Sequence, residues 1–394
     1  MPSDVIARII LIFLFAVGGF SEEAPLSLGF EAFYNNNYDS ALAFFQGQVK
    51  AHPDDPDQHN HVAQTILYRE LFRNGSLESQ LVTGNNAFLR RPKVEITEQD
   101  SELFAGSINT ALSLCGAKLS RDGRDVRALY ESGVAHALRS TYFFLVEKAW
   151  TEALREASAA KKAQEGVIKM DPDFVDARLT LGVYEYLVAS LPFYLRAVGF
   201  LNGFHGDRAG GLQELESVAR NGSNSYDAKI LLAILYRREH QAAKALPLLQ
   251  ELAERFPGNY LFLFEQVQMY SDLGDKASAL RVLDKIGALQ ASHAPGYDTL
   301  PPEKIAYVAG NLYFWYRDYD LALARLKQAS AHTDILDLNS AVMTWLRLGQ
   351  VNDVRNDRSD AITAYREAVR TAPNSEIAAE AKRYLSAPYR RPGQ

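Results

Sequence analysis

The chain has 394 residues, of which 47% are hydrophobic and 23% charged. That composition excludes a disordered or fibrous chain and leaves ample apolar mass for burial. Its net charge of −6 gives no electrostatic reason to expect nucleic acid as a partner, and its single cysteine, Cys115, excludes an intramolecular disulfide, a Cys-rich zinc site or an iron–sulfur cluster.

Residues 1–21 carry one basic residue, Arg8, then an apolar run from Ile9 to Val17, then Gly18-Gly19, with an acidic start beyond Ser21. The run is too short for a ~30 Å hydrocarbon core. Its order is that of a cleavable secretory signal peptide, with cleavage after Ser21 or Gly18, and the alternative is a buried N-terminal helix. No cysteine follows the apolar core, so the expected product is an exported, periplasmic or secreted protein and not a lipoprotein.

From residue 22 onward one pattern recurs. Ala41-Leu42 leads to Phe45 and Pro53; Ala245-Leu246 leads to Leu249, Leu252 and Pro257; Ala361-Ile362 leads to Tyr365, Ala368 and Pro373. Ala322-Leu323 leads to Leu326 and Ala329, with Asp334 at the proline position. Gly29, Gly310 and Gly349 stand twelve residues before their alanines, and Tyr38 and Tyr319 three before. Ala245 and Ala279 are 34 residues apart, and Trp345 stands at the opening aromatic position of its repeat.

This pattern resembles the tetratricopeptide repeat (TPR), a helix–turn–helix unit of about 34 residues. The physical logic is close packing: small residues let two helices approach and an aromatic fills the gap toward the next hairpin. Pro53, Pro172, Pro257 and Pro373 mark helix ends. Asp54, Asp173, Asn259 and Asn374 offer turn or N-cap acceptors beyond them.

The predicted fold is an all-α superhelical solenoid of about eight hairpins. Irregular repeats span 22–224, with insertions at 71–100 and 190–206; regular repeats span 225–373; a cap helix spans 374–386 with surface residues Glu376, Glu380, Lys382 and Arg383. Leu181-Gly182 opens one hairpin, and its second helix starts after Asp207, the expected N-cap, and runs through Gly211, Leu215 and Val218. The segment from Tyr184 to Asn259 resembles a subgroup of exported bacterial TPR proteins. The resemblance implies a docking surface for a protein or peptide partner, with no cofactor and no catalysis.

Register places Arg237, Phe264, Gln268, Tyr307, Asn311, Phe314, Arg347 and Gln350 on the concave groove. Amides suit a peptide backbone, guanidinium a carboxylate and rings an apolar side chain. Lys304, Asn311 and Arg347 are fragments of the carboxylate-binding set that some TPR proteins use. The alternative is a groove that is merely solvated.

A second candidate is the apolar stretch 187–204, which includes Phe193, Tyr194, Phe200 and Phe204, with Arg196 as its only charge. It reads either as an extra packed helix or as a patch for a hydrophobic ligand or a membrane surface. A third is His52, His59 and His61, dense in metal-ligand side chains among Asp54, Asp55 and Asp57. A turn and an N-cap account for the same residues. No nucleophile–base motif or phosphate loop surrounds the eight histidines or the glycines from Gly203 to Gly211, so the expected protein is not an enzyme.

Overall fold

The computed structural model describes residues 27–77, 94–190 and 206–391. Regular structure among them is helical throughout. Seventeen α-helices follow in order: α1 (Leu28–Tyr34), α2 (Tyr38–Ala51), α3 (Pro56–Arg73), α4 (Glu98–Arg121), α5 (Val126–Tyr142), α6 (Trp150–Met170), α7 (Ala177–Ala189), α8 (Arg208–Asn221), α9 (Ser225–Arg238), α10 (Ala242–Arg255), α11 (Tyr260–Asp272), α12 (Lys276–Ala291), α13 (Pro302–Trp315), α14 (Tyr319–Ser330), α15 (Leu338–Val354), α16 (Arg358–Thr371) and α17 (Glu376–Ser386). Consecutive helices pack as hairpins, α5 on α6, α7 on α8, α11 on α12, α13 on α14 and α15 on α16. The fold is the all-α helix–turn–helix repeat class that the pattern predicts. The expected signal segment 1–21, most of the insertion 190–206 and residues 78–93 of the insertion 71–100 lie outside the described residues.

The landmarks act as their chemistry requires. Helices α2, α6, α10 and α16 stop at Ala51, Met170, Arg255 and Thr371, each two residues before its proline. Asp207 caps α8 by accepting from the Ala209 amide, and Asn259 caps α11 by accepting from Leu261. Three caps differ from expectation. Asp55, not Asp54, accepts from the Asp57 amide at the start of α3. Ser375, not Asn374, accepts from the Ala378 amide at the start of α17. Asp176, not Asp173, precedes α7, and its carboxylate accepts from the amides of Ser223 and Asn224.

The glycines mark the tightest helix contacts. A Cβ on Gly182 would lie 2.7 Å from the carbonyl oxygen of Gly211, and one on Gly211 would lie 2.5 Å from that of Gly182. Helices α7 and α8 therefore meet backbone to backbone. A Cβ on Gly349 would lie 2.4 Å from the ring of Tyr365. The repeat aromatic thus fills the space over the glycine of its own hairpin, and only then reaches the next helix through Tyr384, 5.4 Å between centroids. Cys115 is buried in α4, and burial pushes its thiol up to about 12, as a packing residue requires.

Contacts divide the chain into two compact units. Among the described residues, unit 1 comprises 27–72, 94–190 and 206–248, and unit 2 comprises 73–77 and 249–391.

In unit 1, α3 is buried along nearly its whole length although many of its residues are polar. Partners from neighbouring helices meet several of these polar groups. Asn60 donates to the backbone carbonyl and carboxylate of Glu131 on α5, both at 3.1 Å. Arg127 bridges Asp57 at 3.0 Å and Glu131 at 2.8 Å. Arg69 reaches Asp39 at 3.0 Å, Glu70 at 3.1 Å and Asp100 at 2.6 Å. Burial and the neighbouring Asp57 hold the Glu131 carboxyl well above the usual range. Burial opposes the charge on Asp57, yet His61 and Arg127 keep its carboxyl below that range.

Unit 2 is an apolar stack. Leu263, Val267, Ala279, Leu283, Ile286 and Leu312 join α11, α12 and α13. Phe314, Ala322, Leu326, Leu348, Val351 and Ala364 join α13 to α16. Helices α13 and α15 also touch directly, so the first helices of successive hairpins form one layer.

Candidate functional site

That layer carries the candidate site. Residues four apart on a helix share a face. Phe264 and Gln268 on α11 and Asn311 and Trp315 on α13 are two such pairs. Together with Leu261 and Lys304 they line a pocket. Trp315 is 49% exposed, an unusual setting for the largest side chain, and so presents ring surface to whatever approaches.

Arg347 on α15 completes the cluster. Its Nε donates to Asn311 Oδ1 at 2.9 Å and its Nη1 to Gln350 Oε1 at 2.6 Å. Its guanidinium carbon lies 4.7 Å from the Phe314 ring centroid and 4.8 Å from that of Trp315. Both contacts are cation–π geometry. Burial pulls the Arg347 guanidinium below its ordinary range, opposed by Tyr307 and Glu380. The result is a fixed, flat cation beside an aromatic surface.

The structure therefore brings Phe264, Gln268, Asn311 and Arg347 together. It places other predicted groove residues differently. Tyr307, Phe314 and Gln350 are 1%, 0% and 1% exposed, so they support the face from beneath instead of lining it. Their rings and amide are consumed by packing and by Arg347. Arg237 lies on α9 in unit 1. Lys304 is buried and donates to Asp337 at 2.7 Å and Ser340 at 2.5 Å, so its charge already has a carboxylate within the fold. Glu380, read from the sequence as a surface residue of the cap, accepts from Gln350 at 3.3 Å and from Tyr384 at 3.0 Å. Trp315 was findable, since it stands four residues after Asn311.

Residues beyond α17 had no sequence signal at all. Ala387 is extended. The Tyr389 amide donates to Asp353 Oδ2 at 2.7 Å, and its ring lies 5.3 Å from Tyr384 and 6.0 Å from Phe314. Arg391 donates to the carbonyls of Phe314 at 2.9 Å and Trp315 at 2.8 Å, and to the Tyr319 hydroxyl at 3.2 Å.

The histidine cluster does not converge. His52 is exposed at the end of α2. His59 sits 2.9 Å from the Pro53 carbonyl. His61 lies 3.2 Å from Asp57 and between the rings of Phe30 and Phe45, at 4.8 and 4.9 Å. No group of three or more His, Cys, Asp or Glu side chains suited to a metal occurs among the described residues. Of the apolar stretch 187–204, Leu187 and Val188 are buried in α7. Phe193, Tyr194, Phe200 and Phe204 lie outside the described residues. No described helix is long and apolar enough to cross a membrane.

Residues 230–292 and 307–376 match the family model of the tetratricopeptide repeat. No curated protein sequence matches the chain. Among solved structures, the chain is similar to the Cut9–Hcn1 hetero-tetramer of the APC/C, with 15% identity, 90% of this chain and 54% of that one covered, and a TM-score of 0.49. The chain thus spans about half the length of that relative. It is also similar to a thermophilic TPR protein of Thermus thermophilus (18% identity, 63% and 97% covered, TM-score 0.34) and to yeast Tom70 (13%, 91% and 87%, TM-score 0.38). Small residues under aromatics, prolines two residues past helix ends and the sequence match over the later hairpins agree, and residues 230–292 and 307–376 are tetratricopeptide repeats.

Proposed function

We propose that this protein is an interaction scaffold of the bacterial cell envelope, and that unit 2 binds an extended peptide of a partner protein on the layer formed by α11, α13 and α15. TPR proteins generally mediate protein–protein interaction. The observation that carries the finer reading is Trp315, half exposed, set beside the fixed guanidinium of Arg347 and the amides of Asn311 and Gln268. A ring, a cation and hydrogen-bonding amides on one face suit a peptide better than a reaction. The envelope location rests on the layout of residues 1–21.

The test is affinity capture from an envelope extract, read by quantitative mass spectrometry. Wild type is compared with the Arg347→Ala, Asn311→Ala double variant after circular dichroism has established that both are folded. A partner depleted about tenfold or more supports the reading. Capture profiles that are identical overturn it. Cell fractionation with sequencing of the mature N-terminus checks export, and an uncleaved chain in the cytoplasmic fraction overturns that part.

A further inference from the structure

Segment 387–391 reads Ala-Pro-Tyr-Arg-Arg and leaves α17 as an extended strand of chain. Pro388 holds itself and the residue before it extended, which lowers the entropy lost on docking. The segment runs back from α17 across the C-terminal end of α15, at Asp353, to the C-terminal end of α13, at Phe314 and Trp315.

The surface it meets is built independently of it. Asp353 is held by the Tyr365 hydroxyl at 2.8 Å and by Arg358 at 2.9 and 3.1 Å, and still accepts the Tyr389 amide. Tyr384 and Phe314 offer rings to the Tyr389 side chain. The terminal carbonyls of α13 form the negative end of a helix dipole, and both accept from the Arg391 guanidinium, which lies 5.6 and 5.9 Å from the rings of Phe314 and Trp315. A backbone acceptor, an aromatic slot and a guanidinium socket in line are what a short extended peptide needs. Trp315 also lines the pocket beside Phe264 and Asn311, so the segment borders the candidate site.

We propose that segment 387–391 is an intramolecular ligand that covers a docking site for an extended segment of a partner protein, one presenting an aromatic residue followed two positions later by arginine. The inference rests on the reading of unit 2 as a peptide-binding face and adds the partner's chemistry and a means of regulation. Tethering gives the segment an effective concentration of order millimolar, so a partner peptide must compete with it. Binding then stays weak until the segment is displaced.

The experiment uses the full chain and a labelled, C-terminally amidated peptide of residues 386–391, followed by fluorescence anisotropy. The Tyr389→Ala, Arg391→Ala double variant empties the site in cis. It is expected to bind the peptide about 10- to 100-fold more tightly than wild type. A control peptide with alanine at both positions is expected not to bind. Equal affinity of wild type and double variant for the peptide, or no binding to either, overturns the proposal. Should the double variant unfold, Arg391→Lys serves in its place, since it keeps the charge but loses the two-pronged fork. It is expected to bind the peptide several-fold more tightly than wild type, and no gain overturns the proposal. Because the probe is the protein's own sequence, its failure leaves the capture result for Arg347 and Asn311 standing. Failure of that capture leaves the anisotropy result standing.

Discussion

The Tyr34 hydroxyl donates a 2.8 Å hydrogen bond to Oδ2 of Asp227, joining α1 to α9 across 193 residues of sequence. The Tyr34 ring also lies 5.8 Å from Tyr226. Nearby, Asn224 donates to the Tyr130 hydroxyl at 2.8 Å while its amide donates to Asp176. Side chains from α1, α5 and the start of α9 thus meet inside unit 1. Burial lifts the Asp227 carboxyl to about 7, with Asp176 adding to the rise and the Tyr34 bond opposing it. The folded state then holds a proton that the unfolded chain releases near pH 4, so this residue's contribution falls as pH rises from about 4 to 7. The expected slope is at most about 1.4 kcal/mol per pH unit within that window. Urea midpoints at pH 5 and 7.5 should differ less in Asp227→Asn than in wild type. An unchanged difference between the two pH values removes Asp227 as the cause.

Arg69 is the hub of a second buried connection, between α2, α3 and α4. Arg69→Ala removes the cation that faces the carboxylates of Glu70 and Asp100, whose side chains are 6% and 14% exposed. Removing one partner of a buried ion network costs about 3–5 kcal/mol. Chemical denaturation should show a loss of that order. A loss below about 1 kcal/mol would mean that the carboxylates find water.

Gly349→Ala tests the packing rule of the repeat. The new Cβ would lie 2.4 Å from a Tyr365 ring that is fully buried and tied through its hydroxyl to Asp353. The ring cannot swing away without breaking that bond, so overpacking should cost about 1–3 kcal/mol. Ala substitution at Gly287, which has nothing within 4 Å of its Cβ position, is the control and should be neutral or slightly stabilising. Thermal unfolding of the two variants decides the matter.

Lys304 and Asp337 form a buried pair, and its pH dependence runs opposite to that of Asp227. Burial works against the Asp337 carboxylate, yet Lys304 and the Ser340 bonds hold it below the usual range. Its contribution to stability is therefore present above the unfolded carboxylate pKa and is lost as pH falls through the folded value. Lys304→Met should cost about 3–5 kcal/mol at pH 7, and adding Asp337→Asn should recover much of that loss by removing the stranded charge. Denaturation of the double variant is the discriminating measurement, and no recovery would show that the lost lysine packing dominates.

Much of the fold was legible because the repeat writes its packing rules in residue size. The small residues at Gly349 and Gly182 and the prolines past the ends of α2, α6, α10 and α16 are local constraints, readable from spacing, whereas the packing of Tyr365 over the glycine of its own hairpin and of Gly182 on Gly211 is not. The groove was legible only in part. Periodicity tells which residues share a helix face, and it correctly grouped Phe264 with Gln268. It does not tell how deep that face lies. Tyr307, Phe314 and Gln350 share register with Asn311 and Arg347, but α13 and α15 press together and bury them. Lys304 looked like a carboxylate binder because sequence shows the cation and not the Asp337 that neutralises it.

The sequence by itself determined the class of structure, helix hairpins with small residues at close approaches and prolines past helix ends, because these depend on residues within one repeat length. Tertiary structure alone decided which polar groups are already partnered. Tyr34 finds Asp227, Asn60 finds Glu131 and Arg391 finds the end of α13 only once distant helices are stacked. Hydrogen bonding and desolvation act through space, over a few ångströms, whatever the separation along the chain. They set which surfaces keep the chemistry that a partner needs.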